Sequence, residues 1–200
     1  TTIVMDAPLN GKSSIGSNNK VQFMNPDMRR FRTARCLVNV GVVHLRRGEH
    51  NDALSTLEMS LRHSKIVTDG KHYYRACEVT ADAIENIGLI LFKQGKYDDS
   101  RAMYTEALEA RRKCVRLMDK LHGHWRPNRS KEEIRMYKEE RNVCLLETSV
   151  TLFYLSLLNE KQGLFDVATE TCEEAILVRR DVIPDADEDY HGGGGSGAAS

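Results

Sequence analysis

Apolar and small residues recur at spacings of three and four in six stretches, the period of a helix with one buried face. The first stretch carries Phe31, Ala34, Leu37, Val40, Gly41 and His44, and the second Ala53, Leu57, Leu61, Ser64 and Val67. A third runs through Ala76, Val79, Ala83, Ile84, Ile87, Gly88 and Leu91, and a fourth through Ser100, Tyr104, Ala107, Leu108, Val115 and Met118 toward Gly123. The fifth holds Ile134, Tyr137, Cys144, Leu145, Thr148, Leu152, Leu155 and Ser156, and the sixth Ala168, Cys172, Ala175, Ile176 and Ile183. The pattern predicts an all-α chain of six antiparallel helices in three pairs, with no sheet. Asn25-Pro26-Asp27 reads as the start of the first helix, and Ser130 to Glu133 as a capping box opening the fifth. Gly70 breaks the chain between the second and third stretches.

The pairs are altered copies of one unit. Its clearest version runs from Asn86-Ile87-Gly88 through Gln94-Gly95-Lys96-Tyr97 to Ala107-Leu108. Asn39-Val40-Gly41 with Gly48 and Ala53, and Tyr154-Leu155-Ser156 with Gly163 and Ala168, repeat its spacing. Small residues at Gly41, Gly88 and Ser156, at Ala53, Ser100 and Ala168, and at Ser60, Ala107 and Ala175 let two helices approach closely. Gly48, Gly95 and Gly163 fall where a first helix must stop, and glycine takes the left-handed conformation there without strain. Asn51, Asp98 and Asp166 suit the start of the helix that follows. A repeat of helix, glycine turn and helix predicts a solenoid, an architecture that offers a binding surface.

This pattern resembles the tetratricopeptide repeat. Residues 81–113 are most similar to its kinesin-light-chain type, through Asn86-Ile87-Gly88, Gln94-Gly95-Lys96-Tyr97 and Ala107-Leu108-Glu109. The resemblance covers about residues 33–182 and is most specific in the middle copy. The proline that often closes such a repeat is missing after the first two copies, and Pro184 comes late in the third.

The turn glycines are unevenly spaced. Gly95 follows Gly48 by 47 residues and Gly163 follows Gly95 by 68, against a family period of about 34. The second gap has room for a fourth repeat, but neither Leu108 to Lys113 nor Leu145 to Thr148 offers a glycine or proline to break a helix. Two over-long helices joined across His122 to Arg129 fit better, the fifth running about 32 residues, or about 48 Å. The end of the fourth helix and the start of the fifth are then expected to project as a hairpin, residues 111–145, with Leu117, Met118 and Leu121 facing Ile134 and Tyr137. The organisation read from the chain is a flexible lead over 1–24, a three-repeat helical domain over 25–184 (repeats about 33–67, 80–122 and 131–183), and an acidic then Gly/Ser-rich tail over 185–200. That tail reads equally as a natural flexible end or a linker.

Composition narrows function by exclusion. Charges are abundant but balanced, 29 basic against 29 acidic, so no global field points to nucleic acid or an acidic membrane. No uninterrupted apolar run of about 18 residues marks a membrane span. Five single cysteines without a Cys-x-x-Cys read as buried reduced thiols, and the location expected is cytoplasmic. Gly11-Lys12-Ser13 matches only part of a phosphate-binding loop, with Asp6 where a glycine is needed. His122-x-His124-Trp125 lacks further ligands at metal-site spacing and reads as a helix-connecting loop. No nucleophile–base set emerges, so no catalytic residue, cofactor or metal is expected. Arg29, Arg30, Arg32 and Arg35 form a cluster that reads as a solvated face or as an anchor for an acidic segment.

In the family resembled, the first helix of each unit lines a concave surface, and the asparagine before Leu-Ala bonds the backbone of an extended peptide. The resemblance puts Asn39 and Asn86 at that place, with Tyr154 departing from it. The residues expected to meet a protein or peptide partner are Arg35, Asn39, Arg46, Glu85, Asn86, Lys93, Tyr154, Leu157 and Lys161. Co-chaperones of the same family clamp a C-terminal carboxylate with Lys, Asn and Arg. Val38, Val42, Asn86, Val150 and Tyr154 stand at those places, and one match in five argues against that ligand. The function expected is a non-enzymatic interaction module holding an extended segment in its groove. The alternatives are a structural subunit docking by its convex face or hairpin, and a ligand-sensing domain of a longer protein. No oligomeric state follows from the sequence.

Overall fold

A computed structural model of the chain describes residues 25–67, 72–122 and 130–183. The expected lead, the break at Gly70, the loop carrying His124 and Trp125, Pro184 and the tail lie outside those residues. Six helices follow in order: α1 (Pro26–Arg46), α2 (His50–Lys65), α3 (Tyr73–Lys93), α4 (Tyr97–His122), α5 (Lys131–Lys161) and α6 (Phe165–Arg180). Among the described residues there is no strand. α1 packs on α2, α3 on α4 and α5 on α6, and each second helix also packs on the first helix of the next unit.

The glycine turns are alike to the atom. Gly48, Gly95 and Gly163 have φ of 79°, 75° and 76°, the left-handed region open to glycine. Behind them the amides of Glu49, Lys96 and Leu164 reach back to the carbonyls of His44, Leu91 and Asn159 at 3.0, 3.0 and 2.9 Å. Each turn is therefore a Schellman cap that satisfies the carbonyls a helix end leaves open. The second helices begin earlier than their polar residues suggest. α2 and α6 start at His50 and Phe165 with no side-chain cap, so Asn51 and Asp166 sit inside the first turn. There Asp166 meets the positive end of the helix instead of capping it. Asn25 does cap α1, accepting from the Asp27 amide at 2.8 Å, and Ser130 and Glu133 form the expected capping box of α5.

Small residues bring the paired helices together. Ala53, Ser60, Ser100 and Ala107 are fully buried. The hydroxyls of Ser60 and Ser100 donate to the carbonyls of Ala34 and Gly88, both at 2.8 Å. A Cβ on Gly41 would fall 2.8 Å from Leu57, which no side chain tolerates without a shift. One apolar cluster fills the first unit and its seam with α3, and a second, around Tyr104, Leu152 and Leu158, joins the last two units.

α4 and α5 run unbroken through the long interval, so no fourth repeat interrupts them. The hairpin they form is less free than expected. α3 begins at Tyr73, and Tyr74 and Cys77 pack against Cys114, Met118 and Cys144, drawing the hairpin base into the core. Leu117 and Tyr137 join that cluster, while Leu121 and Ile134 stay exposed. Further out, Asp119 accepts from Tyr137 at 2.6 Å and from Arg141 at 2.8 Å. By length and composition α5 also passes for a membrane span, a signal the search for an uninterrupted run does not register. Half of that stretch is buried inside the fold, with Thr148, Ser149, Thr151, Ser156 and Asn159 among the buried residues of α5.

Candidate partner-binding groove

The first helices wall a cleft of about 460 Å³. α1 contributes Phe31 and Arg35, α3 contributes Tyr74, Arg75 and Glu78, α5 contributes Glu139, Glu140 and Val143, and Cys114 and Met118 of α4 lie at its base. Four of its charged residues are engaged with one another. Arg35 pairs with Glu78 at 2.8 Å and Asp82 at 3.5 Å, and Arg75 with Glu140 at 2.8 Å. Helical spacing carries the wall onward from the cleft. Arg35, Asn39, Val42 and Arg46 share one face of α1. Glu78, Asp82, Asn86, Leu89 and Lys93 share one of α3, and Val143, Val150, Tyr154, Leu157 and Lys161 one of α5.

The expected partner residues divide into two sets on these stripes. Arg46, Lys93 and Lys161 occupy one register, two residues before each turn glycine. All three are exposed, and none has an ion pair among the described residues. Asn39 is exposed with its amide unengaged among the described residues. The Asn86 amide donates to the carbonyl of Asp82 at 2.7 Å, leaving its oxygen as the free end. Tyr154 is half-buried and stacks on Tyr104 with ring centroids 5.4 Å apart, and Leu157 is half-buried beside it. Arg35 and Glu85 are committed to the fold itself. Arg35 bridges α1 to α3, and Glu85 accepts from buried Arg111 at 2.5 Å.

Arg111 is the residue that sequence reasoning missed. It lies within the consecutive cations Arg111-Arg112-Lys113, yet it is 1% exposed. Its guanidinium donates to Asp82 at 3.0 Å, to Glu85, and to the Thr151 hydroxyl at 2.9 Å, with Glu147 at 3.5 Å. Burial works against its charge, but Glu85 and Asp82 outweigh it and hold the proton more firmly than usual. The thiols were also misplaced in part. Cys77, Cys114 and Cys144 are buried as expected, whereas Cys36 is exposed and Cys172 half-exposed. His44, Glu49 and Asp52 form one cluster of metal-type ligands at the first turn, in which His44 Nδ1 and Glu49 already bond each other at 2.5 Å.

Burial pushes the Asp82 carboxyl up to about 6, against the pull of Arg111 and Arg35. A carboxyl with a raised folded pKa binds its proton more tightly folded than unfolded. Its contribution to stability is therefore full below about pH 4 and declines as pH rises to about 6. A two-unit shift corresponds to about 3 kcal/mol. Asp82→Asn removes the titrating group, so the gap in unfolding free energy between wild type and variant should move by about 2–3 kcal/mol between pH 4 and 7. Parallel stability curves for the two proteins would show instead that Asp82 is hydrated.

Residues 80–113 match the family model of the tetratricopeptide repeat. The matched span takes in most of α3, the Gly95 turn and much of α4. No curated protein matches the chain. Residues 80–113 are thus a tetratricopeptide repeat, and with the same helix, glycine turn and helix built on either side of it the chain has the architecture of an all-α helical-repeat array.

Proposed function

We propose that the chain is a non-enzymatic interaction module that holds an extended, acidic segment of a partner protein along the stripes of α1, α3 and α5. The repeat itself is of the kind generally used for protein–protein interaction. The observation that carries the finer reading is the row of Arg46, Lys93 and Lys161, three exposed cations that recur with the repeat and have no ion pair among the described residues. Each also complements the negative end of its own helix, a role that needs no partner but gives no reason for all three to lack an ion pair among the described residues. Between the cations and the cleft, Asn39 and the free oxygen of Asn86 offer hydrogen bonds to a peptide backbone. Tyr154, Leu157 and Leu89 offer apolar contact. The five unpaired thiols suit a reducing, cytoplasmic location.

Selection of a peptide library against the full chain should enrich extended segments that alternate acidic and apolar residues. Arg46→Glu with Lys93→Glu and Lys161→Glu should lower affinity for a selected segment at least tenfold, with helicity unchanged. Asn39→Ala with Asn86→Ala should weaken it several-fold, since each bond contributes about 0.5–1.5 kcal/mol. Affinity should also fall as salt rises. Unchanged binding by both folded variants would remove the site from these stripes.

A further inference from the structure

α2 and α4 each present one face to the first helix of the following unit, and in α6 the matching face packs on no further helix among the described residues. The register is fixed by the turn glycines. Leu61, Leu108 and Ile176 stand at the same distance past theirs, as do Ser64, Arg111 and Arg179. Ser64 accepts from Thr80 of α3 at 2.8 Å, and Arg111 reaches Thr151 and Glu147 of α5. The Arg179 guanidinium has no ion pair or hydrogen bond among the described residues, while its carbonyl accepts from the amides of Val182 and Ile183. Leu108 is 7% exposed but Ile176 is 48% exposed. The first helix of the unit follows suit. Where α3 carries Asp82 and Glu85, α5 carries Val150 and Phe153, and Phe153 is 49% exposed. Val150, Phe153, Cys172, Ala175, Ile176 and Arg179 line a shallow depression of about 170 Å³ between the two helices.

We propose that this end face docks an amphipathic helix of a partner protein, seated on α6 as α5 sits on α4, with a carboxylate paired to Arg179. The inner seams say what covers it. Both are helix-on-helix contacts, made by apolar positions at helical spacing around one polar pair. At the seam with α5, Arg111 and Glu147 are part of that pairing. At the end face the cation is present, no carboxylate of α5 or α6 pairs with it among the described residues, and an incoming helix supplies the acid. A second copy of this chain is the poorer fit. Its surface of matching register among the described residues is the outer side of α1, where Cys36, Val40 and Val43 are exposed. There Arg32 stands where Glu147 stands in α5, with Arg29 and Arg30 beside it. Stacking two copies would set like charges on Arg179 and Arg180.

The probe is a labelled synthetic peptide reproducing residues 138–161 with Cys144→Ala, in two forms, one keeping Glu147 and one with Glu147→Lys. Fluorescence polarisation with the full chain should show the Glu147 form binding at least tenfold more tightly. Arg179→Glu should reverse that preference, and Ile176→Asp, a change at an exposed position checked for helicity, should abolish binding of both. Arg46→Glu with Lys93→Glu should leave it unchanged, which separates this face from the groove. Failure of both peptides to bind, equal binding of the two, or binding indifferent to Ile176→Asp would overturn the proposal. So would self-association of the chain that Ile176→Asp abolishes, which would assign the face to a second copy.

Discussion

Replacing Arg111 by alanine should cost about 3–5 kcal/mol of stability, the penalty of removing one partner from a buried ionic cluster. The guanidinium is 1% exposed and joins three helices, holding Asp82 and Glu85 of α3 and Thr151 of α5. Without it, two carboxyls that burial already pushes up in pKa are left facing each other. Ionising both would then be unfavourable, so the variant should regain part of its stability as pH falls toward 5. A neutral replacement of the whole cluster separates this account from simple loss of packing. Arg111→Met with Asp82→Asn and Glu85→Gln should recover most of the deficit, because a buried ion group can give way to uncharged residues of similar volume at small cost. Urea unfolding decides the matter. A loss below about 1 kcal/mol for Arg111→Ala would mean that water reaches the carboxyls once the arginine is gone.

The same cluster shows what the sequence could not disclose. A glycine that ends a helix acts through its own backbone, so Gly48, Gly95 and Gly163 were readable from spacing, as were the caps at Asn25 and Ser130. The recurrence of Arg46, Lys93 and Lys161 was readable for the same reason, because register follows from the turns. Arg111 was not readable, since its burial depends on carboxylates and a hydroxyl on two other helices, brought together only when α4 is enclosed between α3 and α5. The hairpin was half legible. Continuous helices followed from the absence of breakers, but the packing of Tyr74 and Cys77 against its base did not. The same long-range dependence separates Arg35 and Glu85 from the other expected partner residues. Their place on a first helix was correct, and their engagement with Glu78, Asp82 and Arg111 depends on neighbouring helices.

The close approach of α3 and α4 gives the second large effect, tested by a pair of changes. A Cβ on Gly88 would lie 3.0 Å from the Tyr104 ring and 3.3 Å from Met103. Leucine there should force α3 and α4 apart, at about 1–3 kcal/mol as overpacking costs. The Gly88 carbonyl also accepts from buried Ser100, so a shift of the backbone strains that bond as well. Tyr104→Ala alone should cost about 3–5 kcal/mol, since the ring is 2% exposed and stacks on Tyr154. The two losses should not add. With the ring gone, leucine at 88 fills the space it left, so Gly88→Leu should cost markedly less in the Tyr104→Ala background. The coupling should fall between about 0.5 and 3 kcal/mol. Additive losses, with each variant shown folded by circular dichroism, would mean that Gly88 and Tyr104 do not share the seam. The pairing of α3 with α4 through these small residues would then be wrong.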